Sequence, residues 1–310
     1  MKIAIAGSGA LGSGFGYQLY KNGEDVTLLD YWEDHIQSVN EKGLHITVNG
    51  IEDTAKIDMM KPAELKEEMD LIFIFTKSMG LESMLEDIKH LIGEDTKVVC
   101  LLNGLGHART LEKYLDAKNI FMGTTMWTAG LDAPGVTHFQ GEGPVELQNS
   151  DPNEVKAAKE IVEVLQESGL YGVYSENVDY TTWRKACVNG TMNALSAILD
   201  ANLAELFETS TINSMLYSIV TEFSLAAKLE DDVDLDVDEI VGYLTGVTAA
   251  NIGAHYPSMH QDIANRRPTE IDFLNGAVVE ILHEHGEEAK YCQAITDLIH
   301  AKEDVLGIER

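Results

Sequence analysis

The sequence predicts an α/β protein whose N-terminal part is a mostly parallel sheet with helices on both faces and whose C-terminal part is all-α. Three observations predict this. Short apolar strands alternate with helical patterns over residues 1–176, a glycine-rich loop follows the first strand, and only helical periodicity remains over residues 177–310. We therefore expect two domains with a boundary near Glu176, which a chain of 310 residues is long enough to build.

The first strand, loop and helix carry most of this expectation. Lys2–Ala6 is a short apolar run, typical of a buried strand, and a glycine-rich loop over residues 7–12 follows it directly. A helical pattern comes next, and Asp25–Asp30 is a second strand that ends on an acid. This order is the fingerprint of a Rossmann-type dinucleotide-binding domain, which we place over residues 1–176. The alternative is a glycine-rich turn in another kind of α/β protein.

The residue types of the loop suit that chemistry. Gly7 permits a sharp turn, Gly9 lets the backbone approach a pyrophosphate, and Gly12 lets the helix pack closely on the strand. The N-terminus of the helix offers unpaired N–H groups and partial positive charge to phosphates. The predicted cofactor ligands in the loop are Gly7, Ser8, Gly9, Ala10, Leu11 and Gly12.

Asp30, at the tip of the second strand, bears on the choice of cofactor. An acid at this position hydrogen-bonds the ribose hydroxyls of NAD and repels the 2′-phosphate of NADP, so the sequence favours NAD over NADP. The spacing of Asp30 and Glu33 also resembles a capping box at the start of the next helix. One carboxylate is able to fill both roles.

Two later strands end at polar residues. Asp70–Phe75 is apolar throughout and runs into Thr76 and Lys77, and Lys97–Leu102 runs into Asn103. Because ligands bind at the carboxyl ends of strands in open α/β sheets, we expect these side chains to contact cofactor or substrate. A surface lysine and a turn asparagine are the alternatives.

The remaining elements follow from periodicity and turn residues. Leu44–Val48 and Ile51–Ile57 flank Asn49-Gly50 and predict a β-hairpin, and Ile120–Thr128 predicts one strand. Val136–Gln140 and Pro144–Leu147 predict a short antiparallel addition to the sheet. The later elements predicted are a helix over Glu154–Glu167, a strand over Tyr171–Tyr174, and helices over Tyr180–Leu199, Ser210–Leu229, Val237–Ala250, Glu270–His285 and Lys290–Leu306.

The start of the helical part carries an unusual polar face. Lys185, Asn189 and Asn193 lie at positions i, i+4 and i+8, so they share one face of a helix. A solvent face is the ordinary explanation, but two asparagines and Gly190 in mid-helix lower helix propensity, and the next segment is too apolar for an exposed helix. Broken local rules of this kind indicate a functional site.

The composition excludes several classes of partner. The chain has 22 basic and 52 acidic residues and a net charge of −30, so nucleic acid and anionic membranes would be repelled. Three isolated cysteines and no signal-peptide or membrane-spanning pattern predict a cytoplasmic protein. We expect no metal site, because the histidines lack ligand spacing and the acidic run 231–238 lacks the glycine of a calcium loop.

In the glycine loop, the strand ends and the polar face of the first C-terminal helix, the sequence resembles the ketopantoate reductase (2-dehydropantoate 2-reductase) family, and the resemblance extends along the full length of the chain. In that family a Rossmann domain faces a helical domain and substrate binds in the cleft between them. The matching pieces are the loop at 7–12, Lys77, Asn103-Gly104, Thr124-Thr125 with Ala129, Trp183-x-Lys185 with Asn189 and Asn193, Ser258-Met259-x-x-Asp262, and Thr269-Glu270-Ile271-Asp272.

The resemblance implies a role for each matching residue. Lys185 is the general acid of reduction, and Asn103 and Glu270 hold cofactor and substrate in register. From the residues alone, Thr269 and Glu270 equally fit a helix cap and a first-turn acid. Further implied ligands are Thr76, Lys77 and Ala129 for the cofactor, and Asn189, Asn193, Asn202, His255 and Ser258 for a 2-oxo acid.

Two departures from the family pattern shape the functional hypothesis. Asp30-Tyr31-Trp32 stands where NADPH-using members carry an arginine, and His255 stands where they carry an asparagine. The leading hypothesis is therefore a homodimeric, NAD(P)-dependent D-2-hydroxyacid dehydrogenase acting on branched or aromatic 2-oxo acids. An authentic 2-dehydropantoate 2-reductase of pantothenate biosynthesis and a non-catalytic dinucleotide sensor are the alternatives. A 6-phosphogluconate-type dehydrogenase shares the architecture but requires a basic phosphate pocket, and the sequence offers no candidate for one.

Overall fold

The chain forms two compact units. A computed structural model describes residues 1–251 and 255–310, without the side chains of 247–251. The first unit consists of Met1–Leu102 and His107–Val178, and the second of Asn103–Gly106 and Asp179–Arg310. The short segment Asn103–Gly106 therefore packs with the C-terminal half of the chain, although it follows a strand of the first unit.

The elements of the described residues have the following bounds. The strands are β1 (Lys2–Ala6), β2 (Asp25–Leu29), β3 (Leu44–Val48), β4 (Ile51–Ala55), β5 (Asp58–Met60), β6 (Leu71–Ile74), β7 (Lys97–Cys100), β8 (Ile120–Thr125), β9 (Thr128–Ala133), β10 (Val136–Gln140), β11 (Val145–Asn149) and β12 (Gly172–Tyr174). The α-helices are α1 (Ala10–Lys21), α2 (Glu33–Lys42), α3 (Leu81–Ile88), α4 (His107–Leu111), α5 (Val155–Glu167), α6 (Val178–Leu199), α7 (Leu203–Phe207), α8 (Ile212–Asp231), α9 (Val237–Asn251), α10 (Ser258–Ala264), α11 (Asn275–Glu284) and α12 (Lys290–Leu306).

The first unit is built on an eight-stranded sheet in the order β12-β11-β8-β7-β6-β1-β2-β5. All neighbouring strands are parallel except β8 and β11. On β1, Ile3 and Ile5 enter one apolar core while Ala4 and Ala6 enter another, and all four are fully buried. Both faces of the sheet are thus covered, as expected of a parallel sheet. The predicted α/β fold with a helical C-terminal part is confirmed.

A second sheet, in the order β4-β3-β10-β9, corrects two predictions. The single strand predicted over Ile120–Thr128 is wrong, because the chain leaves the large sheet after β8 and re-enters the small one as β9. The pairing predicted between Val136–Gln140 and Pro144–Leu147 is also wrong. β10 pairs with β3 and β9, whereas β11 pairs with β8 and β12.

Aromatic packing accounts for this route of the chain. The Trp127 ring, between β8 and β9, stacks on Phe139 of β10 with ring centroids 4.4 Å apart. Phe139 in turn lies against Gly14 of α1, where a Cβ atom would come within 2.3 Å of its ring. The glycine lets α1 and the second sheet approach closely, and burial of both rings favours β9 and β10 in that sheet.

Every regular element in the described part of the second unit is helical. The large side chains of Trp183 and Phe223 lie in its core, and the Trp183 indole N–H donates to Asp231 over 2.7 Å. The helix predicted over Glu270–His285 begins later than expected. Residues 271–273 form a 3₁₀ turn, Leu274 leaves helical geometry with φ −117° and ψ −96°, and α11 starts at Asn275.

Segment 103–106 packs against this 3₁₀ turn. The Leu105 N–H donates to the Phe273 carbonyl over 2.8 Å. Gly104 has φ +103°, and a Cβ atom there would lie 2.6 Å from the same carbonyl oxygen. Only glycine combines this conformation with such a close backbone approach. The result is that Asn103 and Glu270 are held in one region of the second unit.

Candidate active site

The glycine-rich loop of the first unit is tightly built. Gly7 has φ +93°, and a Cβ atom there would lie 2.5 Å from the Thr76 backbone nitrogen. At Gly12 a Cβ atom would lie 2.3 Å from the Gly7 carbonyl oxygen. The loop therefore turns directly against the backbone that follows β6, where Thr76 and Lys77, predicted to contact cofactor or substrate, are located.

The outer side of the loop suits a dinucleotide phosphate group. A Cβ atom at Gly9 would meet no atom within 4 Å, so the backbone there is open to approach. Gly9 is also the N-cap of α1 and gives the helix no side-chain cap, which leaves N–H groups of the first turn, including those of Ala10 and Leu11, for an anion. The buried Thr76 hydroxyl has no hydrogen-bond partner within the described residues. These features fit the group that the loop was predicted to hold.

Ser8 differs from the other loop residues. Its hydroxyl donates to the Ile5 carbonyl over 2.8 Å and accepts the Leu29 N–H at 3.1 Å, and its own N–H donates to the Leu29 carbonyl over 2.9 Å. The side chain is fully buried. Ser8 therefore joins β1 to β2 within the protein, and its donors are already used.

Asp30 is fixed by its own loop. One carboxylate oxygen, Oδ1, accepts the N–H groups of Tyr31 and Trp32 at 2.7 Å and 3.0 Å. The capping box predicted with Glu33 is wrong, because α2 starts at Glu33 with Trp32 as its N-cap. Across the described part of the chain, Oδ2 has no hydrogen-bonding partner, so this oxygen is oriented by its neighbour and remains available to a ligand.

The other predicted cofactor residues of the first unit lie in two places. Lys77 is exposed directly after β6, next to Thr76. Ala129 lies in β9, opposite Phe139 of the second sheet, and packs against the core that contains Phe15 of α1. The matching stretch Thr124-Thr125 ends β8, so it belongs to the other sheet.

In the second unit, α6 presents its polar face to a small concave site. Asn189 and Asn193, one helical turn apart, line it together with Asn103 and Glu270. The site is narrow: its non-protein space of about 260 Å³ includes open solvent, and only about 10 Å³ of it admits the centre of a water molecule. Asn193 Nδ2 donates to Ser258 Oγ over 3.4 Å. The remaining lining residues are Ser258, Met259, Asp262 and Leu274.

Lys185 lies one turn before Asn189 on the same face and interacts electrostatically with Glu270. The residue is only half-buried by surface area, yet its ammonium lies deep enough that desolvation lowers its pKa to about 8. The Glu270 carboxylate acts in the opposite direction and raises the pKa. An amine that exchanges a proton near neutral pH, beside a pocket of amide groups, is suited to acid–base chemistry.

The interpretation of Thr269 as a helix cap is wrong. Its backbone N–H donates to Glu303 Oε1 over 2.8 Å, while its hydroxyl makes no hydrogen bond within the described residues. Since α11 starts only at Asn275, Glu270 is not a first-turn acid of that helix. Its side chain lines the concave site instead.

Two predicted substrate residues do not line this site. Asn202 is the N-cap of α7, where its side chain accepts the Glu205 N–H at 3.0 Å in a reciprocal capping box. His255 is exposed, and its carbonyl accepts the Leu203 N–H at 3.2 Å. Both therefore lie beside the start of α7.

Two residues without a predicted role lie at the concave site and at the glycine loop. Asp262 lines the concave site and accepts a hydrogen bond from Arg267 Nε at 2.9 Å. Its place in the stretch from Ser258 to Asp262 was the available signal, because four positions along a helix bring both residues to one face. His35, which contacts the glycine loop, had no recognisable signal.

Comparison with known proteins identifies the family. Residues 3–152 match the model described as ketopantoate reductase PanE/ApbA, and residues 177–303 match its C-terminal counterpart. A 2-dehydropantoate 2-reductase of Lactococcus lactis subsp. lactis is 50% identical over 310 residues, covering 99% of each chain. The chain belongs to the ketopantoate reductase family and is an oxidoreductase of that NAD(P)-dependent family.

Two solved structures are also similar. The ternary structure of D-mandelate dehydrogenase with NADH and anilino(oxo)acetate has a TM-score of 0.95 and 47% identity, and covers 100% of both chains. The complex of D-mandelate dehydrogenase with NADH has a TM-score of 0.91 and 48% identity, covering 98% of this chain and 99% of that one. Relatives with two different names thus share about half of their residues with this chain.

Two further features of the described residues concern membranes and metal ions. No helix there has the length and apolar character needed to cross a membrane. No group of three or more histidine, cysteine, aspartate or glutamate side chains is arranged to hold a metal ion in that part of the chain.

Proposed function

We propose that this protein reduces a 2-oxo acid to a D-2-hydroxy acid and prefers NADH to NADPH. Residues 1–176 serve as the cofactor domain and residues 177–310 as the substrate domain. The observation that carries the proposal is the desolvated ammonium of Lys185, which interacts with Glu270, on a residue one helical turn from the amides that line the concave site.

The residues divide the chemistry between them. A nicotinamide held by the first unit would supply the hydride for the C2 carbonyl carbon. Lys185 stabilises the negative charge that grows on the carbonyl oxygen and then gives that oxygen its proton. Asn189, Asn193 and Ser258 bind the carboxylate and orient the carbonyl. Amide and hydroxyl donors do this without adding groups that titrate near neutral pH.

Asp30 supports the preference for NADH. Its Oδ1 is occupied by two backbone N–H groups, which leaves Oδ2 for the adenosine ribose that lies after the second strand when such sheets bind a dinucleotide. A carboxylate accepts hydrogen bonds from the two ribose hydroxyls but repels a 2′-phosphate. The similar D-mandelate dehydrogenase was solved with NADH, which agrees with this assignment.

The substrate we favour is a branched or aromatic 2-oxo acid. Anilino(oxo)acetate, found with the similar dehydrogenase, names an oxoacetate with an aromatic substituent. Ketopantoate is the second candidate, because the 50% identical relative is a 2-dehydropantoate 2-reductase. Steady-state rates with phenylpyruvate and ketopantoate, each with NADH and NADPH, separate the two. Equal or faster turnover of ketopantoate with NADPH would reject our choice.

The pKa of Lys185 predicts opposite pH profiles for the two directions of reaction. Reduction requires the protonated amine, so kcat/KM for a 2-oxo acid should fall about tenfold per pH unit above pH about 8. Oxidation of the hydroxy acid requires the neutral amine and should rise up to that pH. Because Glu270 raises the pKa, Glu270→Gln should move both inflections to lower pH. Inflections that stay in place would show that Glu270 does not act on this amine.

We also propose that the protein is a homodimer that pairs through α12. Tyr291, Leu298 and Val305 are spaced seven residues apart on this helix and are 52%, 54% and 86% exposed. The small residues Ala294 and Ala301, also exposed, complete the alternating three- and four-residue spacing of a helix-pairing seam. About Leu298 as centre, an antiparallel pair of these helices places Tyr291 of one copy opposite Val305 of the other.

Mass measurement in solution tests the dimer. Light scattering should give twice the chain mass of 34.1 kDa, and Leu298→Glu should return the protein to a monomer, because it places two carboxylates face to face at the centre of the seam. Glu309→Gln, at an exposed position beyond the end of α12, is the control and should remain dimeric. A dimer that persists in Leu298→Glu would remove α12 from the interface.

A further inference from the structure

His35, on α2, is a fully buried histidine whose ring contacts the glycine loop. Its Nδ1 accepts the Gly135 N–H at 2.8 Å, so this nitrogen carries no proton. The proton therefore lies on Nε2, which is 3.0 Å from the Ser8 carbonyl oxygen and donates to it. The Ser13 hydroxyl donates to the same carbonyl over 2.9 Å.

Only the neutral ring is able to make both bonds. A protonated imidazole is a donor at both nitrogens, and Nδ1–H would oppose the Gly135 N–H. Burial lowers the pKa of His35, while the Ser8 carbonyl and the Asp30 carboxylate act in the opposite direction. The hydrogen-bond geometry and the burial of the ring therefore both favour the neutral form of His35.

On the Nδ1 side of the ring, the bonded residue Gly135 lies in a turn that is itself held in place. Gly135 has φ +77°, and a Cβ atom there would lie 2.6 Å from the Ser38 hydroxyl of α2. Its carbonyl accepts the N–H of His45, in β3, at 2.9 Å. His35 thus connects the second sheet, which is anchored on α2, to the carbonyl of Ser8 in the glycine loop.

Ser8 itself offers little freedom. Its hydroxyl and N–H bind Ile5 and Leu29, so its peptide plane is fixed on one side by the two strands. The bonds from His35 and Ser13 fix the carbonyl on the other side. The Ser8 carbonyl and the Gly9 N–H belong to one planar trans peptide unit and point in opposite directions, so the orientation of the carbonyl determines where this N–H points. That N–H stands at the open side of the loop, where the phosphates are expected.

We propose that His35, assisted by Ser13, is a positioning residue for the dinucleotide: it holds the Ser8 carbonyl so that the Gly9 peptide faces the pyrophosphate. This inference rests on the proposed function, since it requires the cofactor to bind at the glycine loop. His35 does not touch the reacting atoms, and its effect is on cofactor affinity.

Two substitutions of similar size separate this role from a general structural one. Glutamine at position 35 places an amide N–H about as far from Cα as Nε2, and so keeps the donor to Ser8. Asparagine places its carbonyl oxygen near the position of Nδ1, and so keeps the acceptor for Gly135. Each variant loses one buried hydrogen bond, so a purely structural residue predicts equal effects from both.

Kd for NADH, measured by fluorescence titration of the full chain, is the readout. We expect His35→Asn to raise Kd about fivefold or more and His35→Gln to stay within about twofold, which is the range that one hydrogen bond controls. At saturating NADH, kcat and KM for the 2-oxo acid should be unchanged in both. His90→Asn is the control, because His90 bonds the Leu65 carbonyl at 2.7 Å, away from the loop.

The outcomes are distinguishable. If the unaltered protein does not bind NADH, the proposed function fails and this inference with it. If it binds NADH but both His35 variants keep its Kd, or raise it equally, the positioning role is overturned while the proposed function stands. Should His35→Asn not fold, Ser13→Ala decides: it removes the other donor to Ser8, should raise Kd about threefold, and an unchanged Kd overturns the inference.

Discussion

Replacing Lys185 with methionine is expected to lower kcat for 2-oxo acid reduction by about a thousandfold and to leave Kd for NADH within about twofold. General acid catalysis contributes about 10²–10⁴-fold, and the same ammonium stabilises the forming alkoxide. Methionine retains an unbranched, helix-compatible side chain of similar length. Because desolvation already disfavours the charge on this lysine, its removal should cost the fold little.

The control for this experiment is another lysine of the second unit. The Lys302 ammonium, on α12, donates to the Ala197 carbonyl near the C-terminal end of α6. Lys302→Met removes a helix-capping interaction, so it should lower the free energy of unfolding by about 1 kcal/mol and change kcat by less than about threefold. Single-turnover rates at saturating NADH measure the chemical step in both variants. A Lys185→Met enzyme that turns over at the normal rate would remove Lys185 from the mechanism.

The central strands could be predicted closely because all their residues except the lysines that begin β1 and β7 are buried. β1, β6 and β7 are continuous apolar runs, and their ends coincide with the predicted ones to within two residues. The pairing of the strands could not be predicted as well as their positions. The pattern of Val136–Gln140 indicates a strand, but its pairing with β3 depends on the contact between Phe139 and Gly14, residues far apart in sequence. Periodicity carries no information about such contacts.

In the candidate site, too, features set by local helix geometry could be predicted, and features that depend on where an element starts could not. The polar face of α6 follows from helix geometry, so Asn189 and Asn193 could be placed together from their spacing alone. The interpretation of Glu270 as a first-turn acid depended on where a helix starts, and a local break at Leu274 moved that start five residues along the chain. Short helices such as α7 and α10 have too few turns to show a period.

Ser8 and His35 show why loop chemistry is hardest to predict. A glycine-rich fingerprint specifies where the backbone must bend, but the direction of each side chain depends on what the strands beside it offer. Ser8 points inward because Ile5 and Leu29 present partners for its hydroxyl. His35 reaches the same residue from α2 because the turn at Gly135 provides the second bond. Neither contact leaves a local pattern in the sequence.

The second large effect is expected at Gly7. Gly7→Ala combines a φ of +93°, unfavourable by about 1–2 kcal/mol for a residue with a Cβ atom, with a Cβ position 2.5 Å from the Thr76 nitrogen. Since that neighbour is backbone, β1 and β6 must move apart, and the free energy of unfolding should fall by about 2–5 kcal/mol in total. Gly23→Ala is the matched control, because φ there is +96° and no atom lies within 4 Å of the added Cβ atom. It should cost only the backbone term, about 1–2 kcal/mol.

Gly9→Ala should affect cofactor binding more than it affects the stability of the fold. The added methyl group meets no protein atom within 4 Å, but the Gly9 backbone has φ −65° and ψ −148°, outside the regions that a residue with a Cβ atom prefers, so the free energy of unfolding should fall only by the backbone term, about 1–3 kcal/mol. If the loop binds a pyrophosphate, however, that methyl group stands where the phosphates approach, and Kd for NADH should rise at least about tenfold. Three glycines of the first unit would then separate three physical demands: backbone conformation at Gly23, close packing at Gly7 and ligand access at Gly9. Unchanged NADH affinity in Gly9→Ala would show that the open space beside this loop exists for another reason, and the cofactor site would have to be sought elsewhere in the first unit.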